Sequence, residues 1–170
     1  MRRLRRSTGP ATSVPVGPGE KVLAWATGVD EDGEAGVVVA GTRDALYVGE
    51  RRVPWEQVEA ADWDADTETL RVTEVGTWGE ARAAHEHRLE EAERLLQLVR
   101  ERVTASVVLQ RHVVVRGRRG LRVIARRAPH GRGELFWVYE FDEGVDPDDP
   151  RVRRLAEAEL RHAQADVGLV

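Results

Sequence analysis

The sequence predicts an α+β fold. The expected form is a small β-barrel or sandwich capped by one amphipathic helix, with a C-terminal β-hairpin and a second helix. Three observations carry this. From residue 20 to residue 89, turn signals recur about every 8–12 residues, the spacing of short antiparallel strands. Leu89, Ala92, Leu95, Leu96, Val99, Val103 and Ser106/Val107 then follow one another mainly at three- and four-residue steps, one face of a helix. Finally, two apolar runs flank a Pro/Gly turn at Ala128–Gly133, and Asp149-Pro150 opens a further helical stripe.

Each element has a local reason. Lys21–Thr27, Gly36–Ala40 and Ala45–Val48 are short apolar runs separated by acidic or glycine-bearing turns. Arg52-Val-Pro-Trp55 leads into Val58–Trp63. Leu70-Arg-Val-Thr-Glu-Val75 alternates apolar with polar, as a half-buried strand does. Glu80–Leu89 is the last strand of this series. The first helix is placed at about 90–109, with Glu90, Glu91 and Glu93 at its positive end. Its end stays open, because Val107–Leu109 and Val113–Val115 also read as strand. Leu121–Arg126 and Glu134–Phe141 form the hairpin, with Leu135, Trp137, Tyr139 and Phe141 on one face. Asp149 is placed to cap the second helix and Pro150 fits its first turn. Val152, Leu155, Ala156, Leu160 and Ala163 form its stripe, and Gly168 stops it.

Composition narrows the function. The 170 residues fit one domain, or a domain with an appendage, and bury roughly two-thirds of the unfolded surface. The absence of cysteine excludes disulfides, thiolate metal sites and cysteine nucleophiles. A net charge of -4 is an ordinary surface, not that of a chain built around nucleic acid. Lys21 is the only lysine; the arginine, alanine, valine and glycine usage fits a high-GC bacterial coding bias. No apolar run approaches the length of a membrane span. The start, Met1-Arg-Arg-Leu-Arg-Arg6, lacks the apolar stretch of a signal peptide, so residues 1–18 are expected to be a disordered basic tail and the chain cytoplasmic.

Gly36-Val-Val-Val-Ala-Gly-Thr-Arg-Asp-Ala-Leu-Tyr-Val48, followed by Arg52-Val-Pro-Trp-Glu-Gln-Val58 and then by Leu95-Leu-Gln-Leu-Val-Arg-Glu-Arg102, resembles the bacterial pleckstrin-homology-like (PH/GRAM-type) domain. The likeness covers roughly residues 20–109. It divides the chain into the 1–18 tail, a 19–109 PH-like domain and a 110–170 hairpin-helix appendage. It implies a barrel whose open end is closed by the helix, and binding in place of catalysis. Phosphoinositide-binding members use basic residues around the first inter-strand loop. Here Val29–Ala35 carries Asp30, Glu31, Asp32 and Glu34 and no base, which argues against a phosphoinositide at that loop. The expected function is a non-catalytic binding or scaffolding module for a protein or peptide, with homo-oligomerisation open. No cofactor is expected.

The alternative is an accessory nucleic-acid-binding protein. Between Arg102 and Gly133 there is no acidic residue, and Arg116, Arg118, Arg119, Arg122, Arg126, Arg127 and Arg132 offer a basic contact surface. Gly117-Arg-Arg-Gly120 has the spacing of a KH-type loop, but it is expected to lead into a strand. An enzyme on an unfamiliar scaffold is the third reading. His85-x-His87 has strand spacing for two metal ligands but no third partner. Asp62–Glu68 lacks the glycine and glutamate of a calcium loop. Gly17-Pro-Gly-Glu-Lys-Val22 misses the spacing of a phosphate-binding loop, and no serine lies in a Gly-x-Ser-x-Gly setting.

Overall fold

The computed structural model describes residues 14–29, 35–78, 80–131 and 133–168. The acidic 30–34 stretch and residues 1–13 of the expected tail lie outside the described residues. Ten strands and two helices follow in chain order: β1 (Ala24–Val29), β2 (Ala35–Gly41), β3 (Ala45–Val48), β4 (Arg51–Pro54), β5 (Val58–Asp64), β6 (Thr69–Glu74), β7 (Ala84–Glu90), α1 (Glu93–Ser106), β8 (Val107–Arg116), β9 (Arg119–Arg126), β10 (Phe136–Phe141) and α2 (Pro150–Asp166). The α+β class holds.

β1 to β7 form one antiparallel sheet in the order β4-β3-β2-β1-β7-β6-β5. This corrects the expectation of a closed barrel: β4 and β5 are its two edges and do not pair with each other. A single 3-10 turn, Trp55–Gln57, carries the chain from one edge to the other. The gap is spanned by side chains and by the corner. Arg51 of β4 grips Glu74 of β6 through two bonds of 3.0 and 2.7 Å, and the Val75 N–H donates to the Gln57 carbonyl at 2.8 Å.

α1 covers the inner face of this sheet and packs on β1, β2, β5 and the Trp55 corner. Leu95, Leu98 and Val99 are buried, with Leu96 and Val103 packed beside them. The apolar stripe read from the sequence therefore faces the core. The helix starts later than expected, because β7 runs through Glu90, and it ends at Ser106, where Val107 already opens β8. β-branched Val107, Val108 and Val113–Val115 favour that strand over further helix.

α1 lies close on β2 only because Gly41 has no side chain. A Cβ there would come within 2.6 Å of Leu98 Cδ2 and 3.3 Å of the Trp55 ring. Gly41→Ala is expected to cost about 1–3 kcal/mol, read as a lower urea midpoint with an unchanged slope.

The second sheet, β10-β9-β8, is built of two hairpins. Gly117 sits at φ +64° in the β8–β9 turn, so Gly117–Gly120 is a hairpin turn, not a helix-joining loop. α2 packs on β8 and β9 and buries Val152, Ala156 and Ala163 against Leu121 and Val123. Asp149 caps α2 by accepting from the Arg151 N–H at 2.7 Å, with Pro150 in the first turn. Residues 14–18, read from the sequence as tail, pack on the outer side of β2 and β3. Val14 is buried against Ala40, Ala45 and Tyr47, and the Tyr47 hydroxyl accepts from the Gly17 N–H at 2.8 Å. Among the described residues no helix is long and apolar enough to cross a membrane.

Candidate functional site

Tertiary contacts divide the arginines of the expected basic surface. Arg116, Arg118 and Arg119 are exposed at the β8–β9 tip. Arg122 is paired with Asp142 at 3.1 Å and faces Glu140 at 4.0 Å. Arg126 is only 4% exposed: one guanidinium nitrogen donates to Ser106 Oγ and another to the Glu59 carbonyl, each at 2.9 Å. Arg127 is half-buried, and its backbone N–H closes onto the Ser106 carbonyl at 2.8 Å. Arg132 lies outside the described residues.

Arg126 belongs to a charged cluster at the junction of the two sheets. Glu59 is buried and paired with Arg82. Burial holds its carboxyl above the usual range; Arg82 and Arg126 oppose this and Glu140 adds to it. Burial likewise lowers Arg126, against Glu140 and Glu59. Arg82 also donates to the Tyr139 carbonyl at 3.0 Å, so one side chain ties β5, β10 and the β6–β7 connection together.

Beside this cluster an open cleft of about 880 Å³ runs between the β6–β7 connection and β10. Trp78, Trp137, Tyr139, Phe141, Arg82 and Thr77 are among its walls. Trp78 meets Tyr139 and Phe141 edge-on, with ring centroids 4.9 Å apart in both pairs. Arg153 of α2 lies 5.8 Å from the Trp78 ring centre, and the Trp78 Nε1–H is buried with no acceptor among the described residues. Trp137, Tyr139 and Phe141 share one face, as the alternation required, and pack with the α2 core.

β10 is an edge strand. The Asp142 N–H donates to the Gly120 carbonyl of the β8–β9 hairpin at 2.9 Å, so even-numbered residues turn their backbone groups toward β9. Trp137, Tyr139 and Phe141 turn theirs outward, and the Arg82 bond to the Tyr139 carbonyl agrees. Arg82 satisfies one of these groups; among the described residues the others have no hydrogen-bond partner, as on an unpaired sheet edge.

Sequence reasoning missed Trp78 and Arg82. The only signal for Trp78 was a tryptophan between Gly76-Thr77 and Gly79, a bulky aromatic with no strand or helix period. His85 and His87 do share a face. His85 Nε2 sits 2.7 Å from Glu74 Oε1, while burial, with His85 adding to it, lowers the His87 pKa. Among the described residues no three potential metal ligands gather. Asp64 accepts from the Asp66 and Thr67 N–H groups at 2.9 and 3.1 Å, the ordinary closing of the β5–β6 turn. No protein-family model, no curated protein and no solved structure matches the chain.

Proposed function

We propose that the chain is a non-catalytic binding module that takes an extended segment of a protein partner along β10. The observation that carries this reading is the outward backbone edge of Trp137, Tyr139 and Phe141 opening into an aromatic-walled cleft. Strand addition supplies affinity through main-chain bonds, and side-chain pockets supply selectivity. The PH-like reading belongs with this proposal. It is supported by the element order, seven antiparallel strands followed by a helix that covers their inner face.

The test is a display selection of random peptides on the full chain, followed by amide chemical-shift mapping of the recovered sequences. Binders should shift the amides of Trp137, Tyr139 and Phe141. Trp137→Ala should weaken them by about 2 kcal/mol, roughly thirtyfold. Peptides that bind Trp137→Ala as tightly, or that map away from β10, would exclude the cleft.

A second reading has its own observation. Arg116, Arg118 and Arg119 are exposed and carry no salt bridge among the described residues. That tip fits a phosphate backbone. Binding of single-stranded RNA that falls steeply with salt and is lost on replacing the three arginines would favour it.

A further inference from the structure

The second sheet has another edge, β8, on the side away from β10. The direction of its backbone groups follows from β9. Gly120 donates its N–H to Asp142 Oδ2 at 2.8 Å, and its carbonyl accepts the Asp142 N–H at 2.9 Å, so even-numbered residues of β9 face β10. Leu121, Val123 and Ala125 therefore face β8, where they stand opposite Val113, Arg111 and Leu109. Gln110, His112 and Val114 turn their N–H and C=O groups outward. Among the described residues no hydrogen bond reaches these groups. Their side chains are exposed too, and Val108 and Val114 expose 41% and 55% of their surface.

The other sheet edges are guarded. β4 carries Arg51 and Arg52 and ends on Pro54, and β5 is flanked by α1 and carries Asp62 and Asp64. Arg82 holds one outward group of β10. At ten residues β8 is the longest described strand, and it contains no proline, lysine or carboxylate. Its irregularities lie near its ends, between Val107 and Leu109 and between Val114 and Arg116. Arg111, the one arginine in the regular stretch between them, is already paired with Glu159 and Asp166 of α2.

That pairing also orients α2. The flank with Glu159 and Asp166 lies toward β8, while Arg153, near the Trp78 ring, marks the opposite flank. Leu155 is one turn before Glu159, on the β8 flank. It is half-buried and stands outside the cluster that Val152, Ala156 and Ala163 build with Leu121 and Val123.

We propose that a second copy of this chain occupies the β8 edge, joining the two β10-β9-β8 sheets into one about a two-fold axis at His112. The two β8 strands run antiparallel. His112 faces its own counterpart, and Gln110 faces Val114 of the other copy. Each of these pairs exchanges two main-chain bonds. Moving the axis to Arg111 would set two guanidiniums opposite each other and draw in the irregular Val108. Moving it to Val113 would draw in Arg116, beyond the other irregularity.

Two observations favour a copy of this chain as the occupant. The outward row is complementary to itself: it holds no carboxylate or arginine, and Arg111 neutralises the carboxylates on the adjoining flank of α2. The helix is also correctly placed. Strands lie about 4.8 Å apart, so a helix seated over β8 and β9 is about 5 Å from the axis, and two such helices come about 10 Å apart, the spacing of packed helices. Leu155 lies in that helix contact. The contact is isologous, so it closes at two copies. It leaves a β10 edge free at either end of the joined sheet.

The experiment is sedimentation equilibrium of the full chain over a range of concentrations. The mass should rise from that of one chain to that of two and stop there. Gln110→Pro removes an outward N–H that the monomer does not use and should weaken the dimer about tenfold or more. Two double variants test the register. Gln110→Glu with Val114→Glu, and Gln110→Lys with Val114→Lys, each set like charges opposite each other and should be monomeric alone. Mixed, they should form a dimer of one copy of each, which unfolded variants could not do. Trp137→Ala, on β10, should leave the dimer unchanged. A parent chain that stays monomeric at about 1 mM would overturn the proposal. So would a mass that keeps growing past two copies, a dimer that survives both Gln110→Pro and the charge variants, or a mixture that stays monomeric. Loss of the dimer in Trp137→Ala would move the contact to β10 and overturn it as well.

Discussion

Trp55→Ala is expected to cost about 3–5 kcal/mol, close to the whole stability of a marginal domain. Trp55 is fully buried at the corner where the chain crosses from one edge of the seven-stranded sheet to the other. Its ring lies against Gly41 and belongs to the core that α1 covers, and its Nε1–H donates to the Thr42 carbonyl at 3.1 Å. Alanine removes the ring, empties the space under α1 and leaves a buried carbonyl without that donor. Trp55→Phe separates the terms: most of the ring volume stays, the bond goes, and the loss falls to about 1–2 kcal/mol. Chemical denaturation measures both. A Trp55→Ala loss below about 1 kcal/mol would mean that the corner does not hold the two edges together.

The second large effect is at the junction of the sheets. Arg126→Met is expected to lower stability by about 3 kcal/mol at neutral pH. The methionine fills much of the space but cannot donate to the Glu59 carbonyl or to Ser106 Oγ, and it removes a cation from beside Glu59 and Glu140. The pH dependence has a definite sign. Burial raises the Glu59 pKa in the folded chain, so the fold holds this proton more tightly than the unfolded chain does. Its contribution is fully present below the unfolded value and is lost as pH rises through the folded one. Without Arg126 the folded value moves further up. The loss should therefore be smaller in mild acid and larger at neutral pH. Glu59→Gln in the Arg126→Met background should recover part of the stability and flatten that difference. Equal losses at both pH values would show that Glu59 does not sense Arg126.

Much of the local structure was legible from the order of residues. The alternation in Leu70–Val75 and in Trp137-Val-Tyr-Glu-Phe141 sets which side chains share a face, because a strand has period two. The Leu95, Leu96, Val99, Val103 stripe predicted the covered face of α1, to which the structure adds Leu98, and Asp149-Pro150 predicted the start of α2, because caps and helix periodicity are local properties. Gly117–Gly120 was rightly read as leading into a strand.

The sheet's openness, the cleft and the sorting of the arginines were decided only by tertiary structure. Whether β4 and β5 close depends on the curvature of seven strands together, and no short segment carries that. Arg122 and Arg126 look alike in sequence, two members of one basic run, yet one pairs with acids at the rim and the other is buried between the sheets. Trp78, Arg82 and Glu59 come from different segments, and their roles exist only once β10 is laid beside the β6–β7 connection. Periodicity acts between near neighbours along the chain; the fate of a charge depends on which distant group the fold brings within a few ångströms of it.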